Sequence, residues 1–191
     1  VYRQGLAVRY GRVMQSIAGV HYNLSLPDSF WRNWQALLGN DQPLKDFKSD
    51  QYFWLIRNFR RRSWLLMLLF GASPALDASF VAGVRHDLAR FDDRTFYGAW
   101  ATSLRMGDLG YQSQAQSAVD VSYNSLDEYI TSRRGALAQP YEAYDEIGIK
   151  DERGNYKQLN THLLQIENEF YSAIRPKRTA TSGESPLQAL Q

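Results

Sequence analysis

Val20–Pro27 reads VHYNLSLP, in which Val20, Tyr22, Leu24 and Leu26 alternate with His21, Asn23 and Ser25 until Pro27 ends the pattern. A period of two is the signature of a strand with one apolar and one polar face. A second run of this kind lies near the other end of the chain, where Leu164, Ile166 and Phe170 alternate with Gln165, Glu167, Glu169 and Tyr171. Long helices and loops separate the two, so the strands are expected to pair antiparallel within a larger sheet, and the fold class is α+β.

Working outward, Tyr2, Leu6, Tyr10, Val13, Met14 and Ile17 recur at helical spacing and predict a helix from Tyr2 to Ile17, although Gly5 and Gly11 lie inside it and each weakens it by about 1 kcal/mol. A polar, proline-containing loop is expected from Gly39 to Lys48. Ser49 is then positioned to cap a long, deeply packed helix with the stripe Tyr52, Leu55, Ile56, Phe59, Leu66, Met67 and Phe70, closed by Gly71 and Pro74. Trp54 and Trp64 also fit its core face. Residues 83–99 are weakly periodic, and Ala101–Ala118 reads as a long ordered loop, a kind of segment that often carries function. A capping box, Ser125 with Glu128, opens a helix with an acidic start and the basic residues Arg133 and Arg134 near its end, and Pro140 follows.

The composition bounds what such a chain can be. With 191 residues, 44% hydrophobic and 22% charged, it can bury one ordinary core, hardly two. A formal charge of +2 is too small for whole-chain attraction to nucleic acid, so any anion site is local. The absence of cysteine excludes disulfides, thiolate metal sites and a cysteine nucleophile, and fits a reducing, cytoplasmic setting. The longest apolar run, Trp64–Phe70, is seven residues, far below the roughly 20 that span a bilayer. Because the chain starts at Val1 with helical periodicity already under way at Tyr2, the expectation is a single segment, 1–191, of a longer protein.

Few residues stand out as chemistry. His21 on a polar strand face can bind a metal or steady phosphate charge, yet the residues alone favour a hydrogen-bonded structural histidine, because no His or Asp partner lies at metal-ligand spacing. Glu167 and Glu169 share a strand face and can offer oxygens to magnesium, or simply face solvent. Arg57, Arg60, Arg61 and Arg62 form the densest basic cluster, while Arg105 and the run Arg175, Lys177, Arg178 are better candidate anion sites. Phosphate-binding loops, dinucleotide fingerprints, zinc-protease helices and nucleophile elbows do not occur. Pattern alone therefore leads to an α+β domain with an anion site.

Four longer strings narrow this: Ser16–Pro27 (SIAGVHYNLSLP), Leu69–Ala75 (LFGASPA), Ala101–Tyr111 (ATSLRMGDLGY) and Leu164–Arg178 (LQIENEFYSAIRPKR). In this order they resemble bacterial glutamate-cysteine ligase, or γ-glutamylcysteine synthetase, and the resemblance runs from Tyr2 to the segment Ser182–Pro186. It implies a glutamine synthetase-like antiparallel sheet with flanking helices, here incomplete. It also implies ATP-dependent joining of the γ-carboxylate of L-glutamate to L-cysteine through a γ-glutamyl phosphate, with Mg2+ and ATP bound, in the first step of glutathione synthesis.

By the same resemblance His21 is a magnesium ligand, Arg105 grips the α-carboxylate of glutamate, and Tyr2, Tyr111 and Tyr171 surround the cysteine pocket with Gln15 and Ile17 nearby. Further magnesium carboxylates and a nucleotide-binding arginine are expected upstream of Val1 and after Gln191, so the isolated chain is expected to be inert and, with unpartnered strand edges, prone to aggregate. The competing expectation is a non-catalytic module that meets an acidic partner through Arg57–Arg62.

Overall fold

The structure is a computed structural model that describes residues 1–16, 21–71, 73–83, 85–104, 114–166 and 169–177. Helix α1 spans Tyr2–Tyr10 and stops at Gly11, whose φ of 83° lies in the left-handed region that glycine adopts without strain. A short 3₁₀ turn, Val13–Ser16, continues the chain. The predicted single helix is thus broken at Gly11, and Ile17 lies outside the described residues.

The strand read over Val20–Leu26 does not form in its described part: residues 21–27 belong to no ladder. Strand hydrogen bonds need a neighbour, and here the backbone of Leu26 turns to side chains instead. Its N–H donates to the Tyr52 hydroxyl at 2.9 Å, and its carbonyl accepts from Trp31 Nε1 at 3.1 Å. The apolar side of the run stays uncovered, with Tyr22 87% and Leu24 57% exposed. Pro27 then leads into α2, Asp28–Leu37, a helix with no counterpart among the sequence expectations. It packs on the next helix through the Trp31–Tyr52 edge contact and a bond from Trp34 Nε1 to Gln51.

Helix α3 runs from Leu44 to Phe70 and so takes in the end of the expected loop. Pro43 starts it, having no N–H to leave unsatisfied. Ser49 is one turn inside and bonds back to the Lys45 carbonyl, so it is no cap. Only Phe47, Phe53 and Ile56 are buried along it, and Trp54, placed on the core face by its spacing, points outward. From Trp64 to its end the helix is apolar on every side yet open: Trp64, Leu65, Leu66, Leu68, Leu69 and Phe70 are exposed. The expectation of deep packing holds for its first half alone.

After α3 comes a small antiparallel sheet of order β1-β3-β2, built from β1 (Ala75–Asp77), β2 (Ala89–Arg90) and β3 (Thr95–Tyr97). Ala75 opposes Tyr97 and Ala89 opposes the same residue from the other side. Strands β2 and β3 fall in the weakly periodic stretch 83–99 and β1 just before it, because runs of two or three residues are too short to show alternation. Antiparallel pairing was expected and is found, in other segments than expected.

The core lies against the first half of α3. Helices α4 (Gln114–Ser117), α5 (Leu126–Ala138) and α6 (Glu142–Ile147) bring Ala115, Tyr129, Ala136 and Tyr144 to Phe53 and Ile56, and Leu163, Leu164 and Phe170 close the cluster. The α5 start is as read: Ser125 Oγ accepts from the Glu128 N–H at 3.2 Å. The Glu128 carboxylate, however, bonds Ser122 and Asn124 instead of returning to the cap. Among the described residues no helix is long and apolar enough to cross a membrane.

Candidate functional site

The first helix meets the 169–171 segment. Tyr2, in the first turn of α1, brings its hydroxyl to 3.5 Å from that of Tyr171, 169 residues on. Burial holds the Tyr2 hydroxyl well above the ordinary tyrosine range, and the bond to Tyr171 and the charge of Glu169 push the same way against the opposing pull of Arg9. Tyr2 is therefore a neutral hydroxyl, able to give and accept a hydrogen bond, at any physiological pH.

Behind this pair lies a buried polar cluster. The Arg9 guanidinium and the Glu169 carboxylate form an ion pair in which both side chains are nearly inaccessible, at 2% and 1% exposure. The second Glu169 oxygen accepts the Gln165 N–H at 2.5 Å. Gln158 Oε1 accepts from Arg9 Nη1 at 3.5 Å and from Gln165 Nε2 at 2.9 Å, while its amide donates to the carbonyls of Tyr144 and Gly148. The Arg9 guanidinium also stands over the Tyr144 ring, 5.1 Å from its centroid. Burial pushes the Glu169 carboxyl above the ordinary glutamate range, with Arg9 and the Gln165 N–H pulling it back.

This cluster explains why the strand read over Leu164–Phe170 does not form in its described part. Leu163, Leu164 and Gln165 are all buried, which a two-faced strand forbids, and the Glu169 N–H closes a turn onto the Ile166 carbonyl at 3.0 Å. Glu169 accordingly lies in the interior on Arg9 and not on a solvated or metal-facing strand edge. Glu167 lies outside the described residues, as do Arg105, Tyr111, Ile17 and Arg178; Gln15 falls in the 3₁₀ turn after α1, its side chain outside the description.

His21 is exposed on the unladdered segment before α2. Among the described residues no group of three His, Asp or Glu side chains comes together as a metal site. One imidazole and a carboxylate already taken by arginine do not make a magnesium site, since that cation takes several oxygens. The residues described thus do not hold the ion by themselves.

The basic cluster turns out to be half structural. Arg57 Nη1 donates to the carbonyls of Tyr123 at 2.9 Å and Asn124 at 2.8 Å, and Arg60 stacks on the Tyr123 ring and reaches Ser172. Arg61 and Arg62 remain exposed. Arg175 Nη1 reaches the Phe170 carbonyl at 3.4 Å. A Cβ at Gly71 would lie 2.5 Å from the Thr102 carbonyl oxygen and 2.3 Å from that of Met67, so only glycine lets the end of α3 meet Thr102. Sequence reading missed Arg9, Gln158 and Gln165; the one available signal was the seven-residue spacing of Tyr2 and Arg9, which puts them on one face of a helix.

The family model of glutamate-cysteine ligase matches residues 1–191. The chain is similar to the glutamate-cysteine ligases of Alcanivorax borkumensis, 57% identical over 195 residues that cover 100% of this chain and 37% of that protein, and of Hahella chejuensis, 57% identical over 191 residues, 100% and 36%. A crystal structure of the Francisella tularensis glutamate-cysteine ligase in complex with AMP superimposes with a TM-score of 0.82 at 40% identity, covering 99% of this chain and 36% of that one. The chain thus spans little more than a third of the length of the relatives it matches.

Proposed function

The chain belongs to the glutamate-cysteine ligase family, and from that premise we propose that it is the central part of a larger catalytic domain that joins L-glutamate to L-cysteine at the expense of ATP. A γ-carboxylate oxygen of glutamate takes the γ-phosphoryl group of ATP and ADP leaves. The cysteine amine then attacks the acyl carbon of the γ-glutamyl phosphate, and phosphate departs. Catalysis of this kind is mostly positioning and charge neutralisation.

In this reading Arg105 forks onto the α-carboxylate of glutamate and so aims the γ-carboxylate at the phosphate. Tyr2, Tyr111 and Tyr171, with Gln15 and Ile17, enclose cysteine; a small amphipathic ligand suits aromatic walls with hydroxyl tips. His21 contributes one ligand to magnesium, the remaining oxygens coming from beyond residues 1–191, so the chain by itself is expected not to turn over. The three short strands belong to a glutamine synthetase-like sheet that is larger in the whole domain. A cysteine-free, ATP-consuming chain suits the cytoplasm. The rival binding-module reading loses support because Arg57 and Arg60 are engaged within the fold.

The observation that carries the proposal is the family match across all of residues 1–191. Its test is cysteine-dependent ADP release, with glutamate, ATP and magnesium, by the longer chain that carries these residues. Arg105→Ala should abolish release, and Arg105→Lys should raise KM for glutamate on the order of tenfold or more by losing the second hydrogen bond of the fork. Unchanged release in Arg105→Ala removes the glutamate assignment, and no cysteine-dependent release by the parent chain removes the proposal.

A further inference from the structure

We propose that the buried Arg9–Glu169 pair, steadied by Gln158 and Gln165, is the positioning device that holds Tyr2 against Tyr171 and thereby sets the affinity for cysteine. The inference rests on the reading of Tyr2 and Tyr171 as walls of the cysteine pocket.

Two rungs join the same two pieces of chain. Tyr2 and Arg9 are seven residues apart, two helical turns, and share one face of α1. Glu169 and Tyr171 are two residues apart on the segment that faces them. Arg9 meets Glu169 and Tyr2 meets Tyr171. Fixing the first rung therefore fixes where along the segment, and in which rotation of α1, the second can form.

The rest of the cluster holds the first rung from behind. Gln158 ties Arg9 to the carbonyls at the end of α6, and Gln165 ties both Gln158 and Glu169 to its own loop. Gly5, in the middle of α1, brings the helix close: a Cβ there would stand 3.3 Å from Gln158 Cα and 3.0 Å from Arg9 Nη1. A glycine inside a helix is unfavourable without such a use.

Stability alone is a poor account of this arrangement. Buried ion pairs are commonly no better for folding than well-packed apolar side chains, because desolvation consumes the attraction. Here, moreover, the buried Nε of Arg9 finds no hydrogen-bond partner among the described residues, which adds a cost. What the pair does supply is direction, since a guanidinium bonded at fixed angles on two sides permits one seating of α1.

The test uses the longer chain and steady-state kinetics in both amino acids. Glu169→Gln keeps the shape and removes the charge. It should raise KM for cysteine on the order of tenfold, leave KM for glutamate within about twofold, and leave the magnesium requirement unchanged. Gly5→Ala, which crowds α1 against Gln158 and the Arg9 guanidinium without removing any charge, should shift the same constant in the same direction and carries the test if Glu169→Gln does not fold. A parallel rise in both KM values, an unmoved KM for cysteine in a folded variant, or a raised magnesium requirement each overturns the proposal. 3-Fluorotyrosine at positions 2 and 171 gives a readout independent of turnover: both 19F resonances should move in Glu169→Gln and neither in the surface variant Arg61→Ala. If the parent chain proves inactive with cysteine, the functional reading fails, while these resonances still decide whether the pair positions the tyrosines.

Discussion

The two halves of α3 are made of similar residues and meet opposite fates. From Leu44 to Phe59 the helix buries Phe47, Phe53 and Ile56 and spends Arg57 on two backbone carbonyls. From Arg60 to Phe70 it is richer in apolar residues, yet Trp64 is 63% and Phe70 76% exposed. A helix that is apolar all round is one that its protein surrounds on every side. The difference lies in the partners: the first half has α5, the 121–124 turn and the 163–174 segment within this chain, whereas the second half meets Tyr123 and Ser172 through Arg60 at its start and, just past its end, Gly71 lies close to Thr102.

Five variants can break or sharpen that contrast. Phe53→Ala, which removes the ring packed 5.7 Å from that of Tyr129, should cost about 3–5 kcal/mol in urea unfolding; a small loss would mean that the first half is not the core. Arg57→Ala should cost about 1.5–3 kcal/mol by freeing the carbonyls of Tyr123 and Asn124, while Arg61→Ala on the open side should change stability by no more than about 0.5 kcal/mol. Gly71→Ala should cost about 1–3 kcal/mol as α3 is pushed from Thr102; hydrogen exchange near residues 102–104 would report the movement. Leu68→Ser with Leu69→Ser should move stability by about 0.5 kcal/mol or less but visibly reduce binding of an apolar dye. A large loss from that pair would show that the second half is packed after all.

The same contrast explains which parts of the fold the sequence disclosed. The α5 cap was legible because Ser125 and the Glu128 N–H are local partners, three residues apart. The α1 and α3 stripes were legible as apolar faces, but their ends depended on Gly11 and Pro43, and α2 and α6 were missed outright. Alternation at Val20–Leu26 and Leu164–Phe170 identified chain able to form a strand, and neither forms one in its described part. A strand is completed by its neighbour, and at the second segment the pull of Arg9 on Glu169 outweighs the alternation. The true strands, two or three residues long, carry no readable period.

For the site, the family resemblance reached further than periodicity. It singled out Tyr2 and Tyr171, which the fold brings together across 169 positions, and no local pattern could have linked them. Glu169 was noticed for its chemistry and misread in its role, because a carboxylate on a strand face and one inside a buried ion pair look alike until the arginine is located. Arg9 itself was unmarked, one of many basic residues in a chain of nearly balanced charge.

The most direct measurement is a cysteine titration of the longer chain carrying 3-fluorotyrosine at positions 2 and 171, followed by 19F NMR. The account predicts that both resonances shift with a common midpoint as cysteine is added and that glutamate alone moves neither. Cysteine-dependent ADP release from a protein in which both resonances stay fixed would contradict it, since the amino acid would then be bound elsewhere.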